Sequence, residues 1–235
     1  MSKNPLFHNL IQKFGPQKII DSLSEHVLDQ RKEKIDPVLE NRIKSIHIAV
    51  ESPADIHNAL AIVRTCEAMG VCNQHLIGWK NRKQKGKKTM QGADRWTNLA
   101  HYDDLKEFRH SINQQGLILA GASPRGTVCL DQLPIDRPIC LIFGNELFGL
   151  SEDAEKSCDL LYQIPMFGFT ESYNLSVSAA ISLYDILKRK RSLLNATGDL
   201  TEEEKLIEKA WFYLKTLGTE NSHKILLKKN SESSL

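Results

Sequence analysis

The chain has 235 residues, which is enough for one full domain with a sizeable core and some appendages. Its 41% hydrophobic and 26% charged residues argue against intrinsic disorder, and a net charge of +2 is too small to identify a nucleic-acid-binding protein by itself. No apolar run approaches the ~18 residues of a membrane span, and the polar start lacks the apolar core of a secretory leader. We therefore expect a cytoplasmic protein that has no membrane partner.

The first 44 residues predict a helical extension. Apolar residues recur at helical spacing from Ile19 to Leu28 and again after Pro37, and charged residues fill most other positions. Two interpretations stay open: this segment packs on the main domain or on a partner subunit, or its basic residues contact RNA.

Short strands then alternate with helices. The predicted strands are 45–51, 71–77, 116–122, 139–143 and 160–164. The predicted helices between and after them are 56–69, 105–112 and 173–191. Strands separated by helices predict an α/β fold with a mostly parallel sheet that is flanked by helices.

The C-terminal region predicts one more helix. Thr201 and Glu204 form a capping-box pattern, and an apolar face follows as far as Leu217. The Lys-, Ser- and Glu-rich residues beyond it predict a flexible tail. The expected organisation is thus a helical N-terminal extension at 1–44, an α/β domain at 45–191, and a C-terminal helix with its tail at 192–235.

A basic run, defined here as residues 80–88, follows the second predicted strand. It holds six Lys or Arg residues and no acid, and Trp79 and Trp96 flank it. Such a run is usually a solvated loop, whereas flanking aromatic rings can stack on RNA bases, so we give both interpretations equal weight. The candidate RNA contacts in the run are Lys83, Lys85, Lys87 and Lys88.

The five cysteines and the histidines predict no metal site. The cysteines form no CxxC pair and are odd in number, which also argues against a disulfide framework. We expect free thiols that are mostly buried.

Two of the predicted strands end at residues that forbid further strand. Gly144 and Asn145 follow 139–143, and Pro165 follows 160–164. The second loop then brings Ser172 and Asn174 to the start of a long helix, where backbone amides and small polar side chains can hold a ligand.

Three segments in this order resemble the signature motifs of the SpoU/TrmH-type (SPOUT) RNA 2'-O-ribose methyltransferases, in particular the TrmH-like tRNA guanosine-2'-O-methyltransferases. The first motif runs from Asn58 to Gly70, the second from Gly144 to Ser151, and the third from Ile164 to Val177. The resemblance covers roughly residues 34–191.

This resemblance implies a SPOUT-type fold with a C-terminal trefoil knot, S-adenosylmethionine as the cofactor, RNA as the substrate, most of all tRNA, and a homodimer. It requires no metal, because methyl transfer is a displacement at a sulfonium carbon. The implied catalytic residues are Arg64, Asn58, Glu146, Ser172 and Asn174. The implied cofactor-binding residues are Gly121, Gly144, Ile164, Met166 and Tyr173. Arg42 joins the four lysines as an implied RNA contact.

Arg64 is the catalytic candidate of the family. The resemblance implies that Arg64 acts as the base once an RNA phosphate offsets its charge. Because a guanidinium stays protonated in proteins and is a poor base, we regard orientation of the ribose 2'-OH, or stabilisation of its developing charge, as at least as good an interpretation. Tyr173 stands where the family usually has leucine, and its ring can supply the same apolar contact. Gln91 also departs from the family, which usually has serine or glycine there.

Three functions compete. We place a tRNA methyltransferase first and a ribosomal RNA methyltransferase second, because relatives that modify ribosomal RNA often carry a separate N-terminal domain of ~70 residues or more, and 44 residues are too few for one. The third is a catalytically inactive knotted protein that binds RNA or assists ribosome assembly. The presence of four catalytic candidates speaks against it: Arg64, Glu146, Ser172 and Asn174.

Overall fold

The computed structural model describes residues 5–79 and 87–232. Its strands are β1 Ile43–Glu51, β2 Val71–Ile77, β3 Asn98–Tyr102, β4 Ile118–Ala122, β5 Val128–Cys129, β6 Ile139–Phe143 and β7 Leu160–Gln163. Its α-helices are α1 Pro5–Phe14, α2 Pro16–Leu23, α3 Asp29–Glu40, α4 Ile56–Ala68, α5 Lys87–Met90, α6 Leu105–Gln114, α7 Glu152–Ser157, α8 Leu175–Leu194, α9 Glu202–Leu217 and α10 Thr219–Glu232. Short 3-10 helices occur at Ser24–His26, Ala93–Arg95 and Leu130–Gln132.

The chain divides into two compact units. One consists of the terminal segments, Met1–Arg42 and Gly198–Leu235, and the other is Ile43–Thr197. We call them the helical unit and the α/β unit.

The α/β unit is built on one parallel sheet. The seven strands in the described part of the chain lie in the order β3-β2-β1-β6-β4-β7-β5, and every neighbouring pair is parallel. The prediction of an α/β fold with a mostly parallel sheet is confirmed. Central β6 is buried along its whole length, as expected for a parallel strand whose two faces are both covered by helices.

Two apolar layers cover the sheet. Alternate residues of β1 point to opposite faces, so Ile48 packs with α4 and α8 while Ala49 packs with α6 and α7. Parallel strands all end at one edge, so the loops after β1, β4, β6 and β7 meet there.

The helical unit contains α1, α2, α3, α9 and α10. The predicted capping box at the start of α9 is present: Thr201 Oγ1 accepts from the Glu204 amide at 3.3 Å, and Glu204 Oε2 accepts from the Thr201 amide at 2.9 Å. The predicted flexible tail is wrong for Thr219–Glu232, which form α10. Ser222 and Leu226, one helical turn apart, are buried there, and the polar composition of the segment hides this face.

None of the helices in the described ranges is both long and apolar enough to cross a lipid bilayer.

Candidate active site

A cavity of about 700 Å³ lies at the C-terminal edge of the sheet. The loops after β4, β6 and β7 line it, and its volume falls within the roughly 300–1,000 Å³ of small-molecule sites. Ligands of open α/β sheets bind at this edge, so the cavity is the candidate active site of the α/β unit.

The loop after β6 forms a tight turn that walls the cavity. Asn145 and Gly149 exchange two backbone hydrogen bonds of 2.8 Å each. The Asn145 side chain accepts from the Leu147 amide at 2.9 Å and donates to the Ser52 carbonyl at 2.8 Å. A β-carbon at Gly144 would overlap the backbone of Gly149, so only glycine fits there. The second motif is therefore a rigid turn.

Residues of all three motifs meet in one hydrogen-bond network. Glu146 accepts from the amides of Ala54 and Asp55, at 2.7 and 3.3 Å, and from Asn58 Nδ2 at 3.0 Å. Asn58 Oδ1 in turn accepts from Asn174 Nδ2 at 3.2 Å. The structure thus brings three of the predicted catalytic residues together, although they come from distant parts of the sequence.

Asn174 also begins α8. Its Oδ1 accepts from the amide and the hydroxyl of Ser176, at 2.9 and 2.7 Å, as an N-cap residue does. Ser172, two residues earlier, is exposed and lines the cavity. These capping hydrogen bonds fix the position at which the third motif begins α8.

Arg64 stands apart from this network. It follows Asn58 by six residues, about 600° of helical rotation, and therefore lies on another side of α4. Its side chain is exposed, does not line the cavity, and makes no hydrogen bond or ion pair within residues 5–79 and 87–232. A single chain does not bring Arg64 to the other predicted catalytic residues.

Four of the five predicted cofactor residues line the cavity: Gly144, Ile164, Met166 and Tyr173. The Tyr173 hydroxyl donates to the Pro165 carbonyl at 3.3 Å, which holds the ring against its own loop.

Gly121 does not line the cavity. A β-carbon there would lie 2.7 Å from Leu161 and 2.8 Å from Cys158, so this glycine faces the packed interior. The lining begins at the next residue and runs from Ala122 to Arg125. The structure therefore does not bring Gly121 to the cavity with the other four predicted cofactor residues.

The cavity wall contains a polar cluster that no sequence pattern predicted. Ser123 Oγ donates to Glu155 Oε1 at 2.9 Å, and Arg125 Nη2 donates to Glu155 Oε2 at 2.7 Å. The partners lie 32 and 30 residues apart in the chain, so only the folded sheet brings them together.

The cavity lining carries more negative than positive charge. Its ionisable acids are Glu146, Glu155 and Glu171, and among the described residues its one strong base is Arg125. This balance favours a ligand with positive charge and disfavours a phosphate inside the cavity.

The predicted RNA contacts have different outcomes. Lys83 and Lys85 lie outside the described residues, as do the side chains of Lys87 and Lys88. Just after the run, Thr89 Oγ1 lies 2.8 Å from His57 Nδ1, so Thr89 lies at the first turn of α4 beside Asn58.

The structure gives no support to the prediction that Arg42 contacts RNA. Arg42 is 2% exposed, and its guanidinium lies over the ring of Phe212, 5.7 Å from the ring centre, inside the helical unit. The position of Arg42 just before the first strand suggested contact with RNA, but a position in the sequence does not show whether the side chain is buried.

Comparisons with known proteins agree with the motifs. The chain matches the model of the SpoU rRNA Methylase family over residues 45–184. It is 34% identical over 176 residues to a tRNA (guanosine(18)-2'-O)-methyltransferase of Borreliella burgdorferi, which covers 74% of this chain and 80% of the relative.

Two solved structures extend the comparison. A TrmH/SpoU tRNA modifying enzyme of A. aeolicus superposes with a TM-score of 0.64 at 26% identity, over 88% of this chain and 98% of that one. A SpoU methyltransferase of Streptomyces viridochromogenes, in complex with the cofactor AdoMet, has the same fold with a TM-score of 0.59 at 21% identity, over 65% of this chain and 62% of that one.

Proposed function

The chain belongs to the SpoU rRNA methylase family, and we therefore propose that it transfers a methyl group from S-adenosylmethionine to the ribose 2'-OH of a guanosine in tRNA. One observation carries the proposal: Asn58, Glu146 and Asn174, one from each motif, are joined by hydrogen bonds beside a cavity of cofactor size. Guanosine 18 is the proposed nucleotide because the Borreliella burgdorferi relative is named for it.

The cavity fits S-adenosylmethionine. Ile164, Met166 and Leu150 provide apolar surface for a flat base, and the turn at Gly144 lets backbone approach the ligand closely. When bound, the cofactor supplies an electrophilic methyl group on a positively charged sulfonium, which suits the negative lining of the cavity. The residues that line the cavity would hold the cofactor, and methyl transfer requires its methyl group to lie in line with the acceptor oxygen.

The hydrogen-bond network positions the acceptor side. All three donors to Glu146 are fixed protein groups, so we assign this carboxylate to holding the first and second motifs together. Asn58 and Asn174 extend the same function to the third motif. The exposed hydroxyl of Ser172 is free to contact cofactor or acceptor ribose. We propose that Arg64 orients the 2'-OH and its neighbouring phosphate while the hydroxyl releases its proton to water.

A homodimer would complete this site. Arg64 points away from the cavity of its own chain, and α8 carries two exposed apolar side chains, Val177 and Tyr184, seven residues apart on one face. We propose that α8 of one subunit packs near α4 of the other, so that each Arg64 serves the acceptor site of its partner.

We also propose the trefoil knot that the resemblance implies. In the sheet order, β4 and β6 separate β7 from β1, yet Asn174, after β7, bonds to Asn58, after β1. The segment 164–174 therefore runs back past the ends of β4 and β6, which supports the proposed threading.

The proposed function assigns catalysis to residues 45–191, with 1–44 and 192–235 as extensions. With tRNA as the substrate, the proposed location is the cytoplasm.

We propose that the basic run binds the RNA backbone. The residue that follows the run lies at the first turn of α4 next to Asn58, on the acceptor side, whereas the cavity itself disfavours phosphate. Replacing Lys83, Lys85, Lys87 and Lys88 with alanine should weaken tRNA binding and flatten the dependence of log affinity on log salt by roughly 0.7 to 0.9 per lost contact. An unchanged salt slope would indicate that the run is a solvated loop that does not contact RNA.

The decisive experiment is methyl transfer from labelled S-adenosylmethionine to purified RNA. We expect transfer to unmodified tRNA, 2'-O-methylguanosine as the product, and no transfer to a tRNA that carries 2'-O-methylguanosine at position 18 beforehand. Preference for ribosomal RNA would favour the second candidate function. Absence of transfer to either RNA, from protein that binds the cofactor, would favour an inactive RNA-binding protein.

A further inference from the structure

An ion pair lies in the cavity wall at the end of β4 and has no role in the network described above. Arg125 Nη2 donates to Glu155 Oε2 at 2.7 Å, and the Glu155 side chain is only 16% exposed. Ser123 Oγ binds the other carboxylate oxygen at 2.9 Å and also accepts from the Arg125 amide at 3.3 Å. The three residues therefore hold one another in place.

This cluster keeps unused hydrogen-bonding capacity. The Arg125 side chain is 74% exposed, and beyond its bond to Glu155 the guanidinium makes no other hydrogen bond to the described residues. A guanidinium has five donors and a carboxylate about four acceptor positions, so both groups can bind a ligand without breaking their own contact.

The cluster and the acceptor network lie on opposite sides of β6. The Glu146 contacts reach the loop after β1, which neighbours β6 on one side, whereas Ser123 and Arg125 follow β4, its neighbour on the other side. A ligand whose reacting methyl faces the acceptor network therefore presents a different part of itself to the cluster.

We propose that Arg125 and Glu155 bind the amino-acid end of S-adenosylmethionine, with the guanidinium on the α-carboxylate and the Glu155 carboxylate on the α-ammonium. A cation and an anion held side by side complement a zwitterion, whereas adenine suits the apolar wall and ribose hydroxyls need no guanidinium. This assignment rests on the proposed function, because it requires that cofactor in this cavity.

Two ligands test the assignment by calorimetry. S-adenosylhomocysteine carries the amino-acid end, and 5'-methylthioadenosine has the same adenosine and a neutral sulfur but lacks that end. Arg125→Ala and Glu155→Gln should each weaken S-adenosylhomocysteine binding by about tenfold or more, as expected for hydrogen bonds to charged groups. The affinity of 5'-methylthioadenosine should stay within about twofold of the unchanged protein, since its contacts lie elsewhere.

The matched controls are Glu152→Gln and Lys156→Ala, which remove one charge each from an exposed ion pair on α7 outside the cavity. Neither should change either affinity. Equal weakening of both ligands by the Arg125 and Glu155 variants would show a structural or ribose-binding role and would overturn the assignment, as would no weakening at all. If the unchanged protein bound neither ligand, that result would contradict the proposed function itself. The assignment of Arg125 and Glu155, which rests on that function, would then be wrong as well.

Discussion

At the scale of single residues, hydrogen bonding separates the proposed roles. Asn58, Glu146 and Asn174 are engaged with one another and with backbone, so they position the loops of the site. Arg64 is exposed and has no such engagement within the described part of the chain, so its side chain remains available to an RNA acceptor.

Arg64→Ala should therefore lower the methyl-transfer rate without lowering cofactor affinity. Loss of a group that stabilises developing charge commonly slows a reaction by about 100-fold to 1,000-fold, and we expect an effect of that order in single-turnover assays with tRNA. S-adenosylhomocysteine affinity should change by less than about twofold, because Arg64 does not line the cavity. Lys106→Ala, which removes an exposed positive charge from α6, should change neither quantity. Reduced cofactor affinity in a folded Arg64→Ala protein would refute the acceptor-side role.

Two glycines of the motifs should respond very differently to alanine. A β-carbon at Gly144 would overlap the backbone of Gly149, whereas one at Gly168 would meet nothing nearer than Thr170 Oγ1 at 3.9 Å. Gly144→Ala should lower the free energy of unfolding by about 1–3 kcal/mol, the usual cost of overpacking, and should abolish most cofactor binding because the turn must move. Gly168→Ala should leave both nearly unchanged. Urea unfolding and calorimetry on the two variants measure this contrast, and similar behaviour of the pair would contradict it.

At the scale of elements, β1 and β2 share a buried histidine pair. His47 Nδ1 and His75 Nε2 lie 2.9 Å apart, and the His75 ring also packs against Tyr102 and Phe108. Burial, with a smaller contribution from His47, lowers the pKa of His75 well below its ordinary value of 6.5. His75 is therefore neutral in the folded chain under conditions where it is already protonated in the unfolded chain.

This histidine should make stability fall toward acid pH. Below about pH 6.5 the unfolded chain binds a proton that the folded chain excludes, so the free energy of unfolding decreases as pH drops, by at most ~1.4 kcal/mol per pH unit for one proton. Urea unfolding between pH 8 and pH 5 should show this slope. His75→Phe should reduce the slope by up to the contribution of one proton. A slope that is the same in both proteins would contradict this account.

The elements also show what the sequence could predict. Periodicity and stop residues predicted α4, β2 and β6 closely, because each is long or fully buried and ends at glycine. Helix α10 was missed because only one narrow face of it is apolar. The Arg125–Glu155 pair and the burial of Arg42 could not be predicted, since both depend on contacts between residues at least 30 positions apart.

At the scale of the whole molecule, positive charge is concentrated in the basic run. The net charge is +2, while the basic run alone contributes six positive charges, so the rest of the chain is net acidic. The RNA binding that we propose therefore depends on this local segment and not on overall charge, and it should weaken steeply as salt increases.

The incomplete acceptor site predicts that the functional molecule is a homodimer. Multi-angle light scattering at micromolar concentration should give about twice the 26.6 kDa of the chain. Val177→Glu with Tyr184→Glu places two charges on the exposed face of α8 and should shift the mass to that of a monomer, because burying unpaired charges in an interface is costly. The monomer should still bind S-adenosylhomocysteine, since neither residue lines the cavity, but it should lose methyl transfer, since Arg64 would no longer reach a partner. Leu227→Glu, at an exposed apolar position of α10, is the control and should stay dimeric and active. A monomeric unchanged protein, or an active monomeric variant, would show instead that Arg64 serves its own chain.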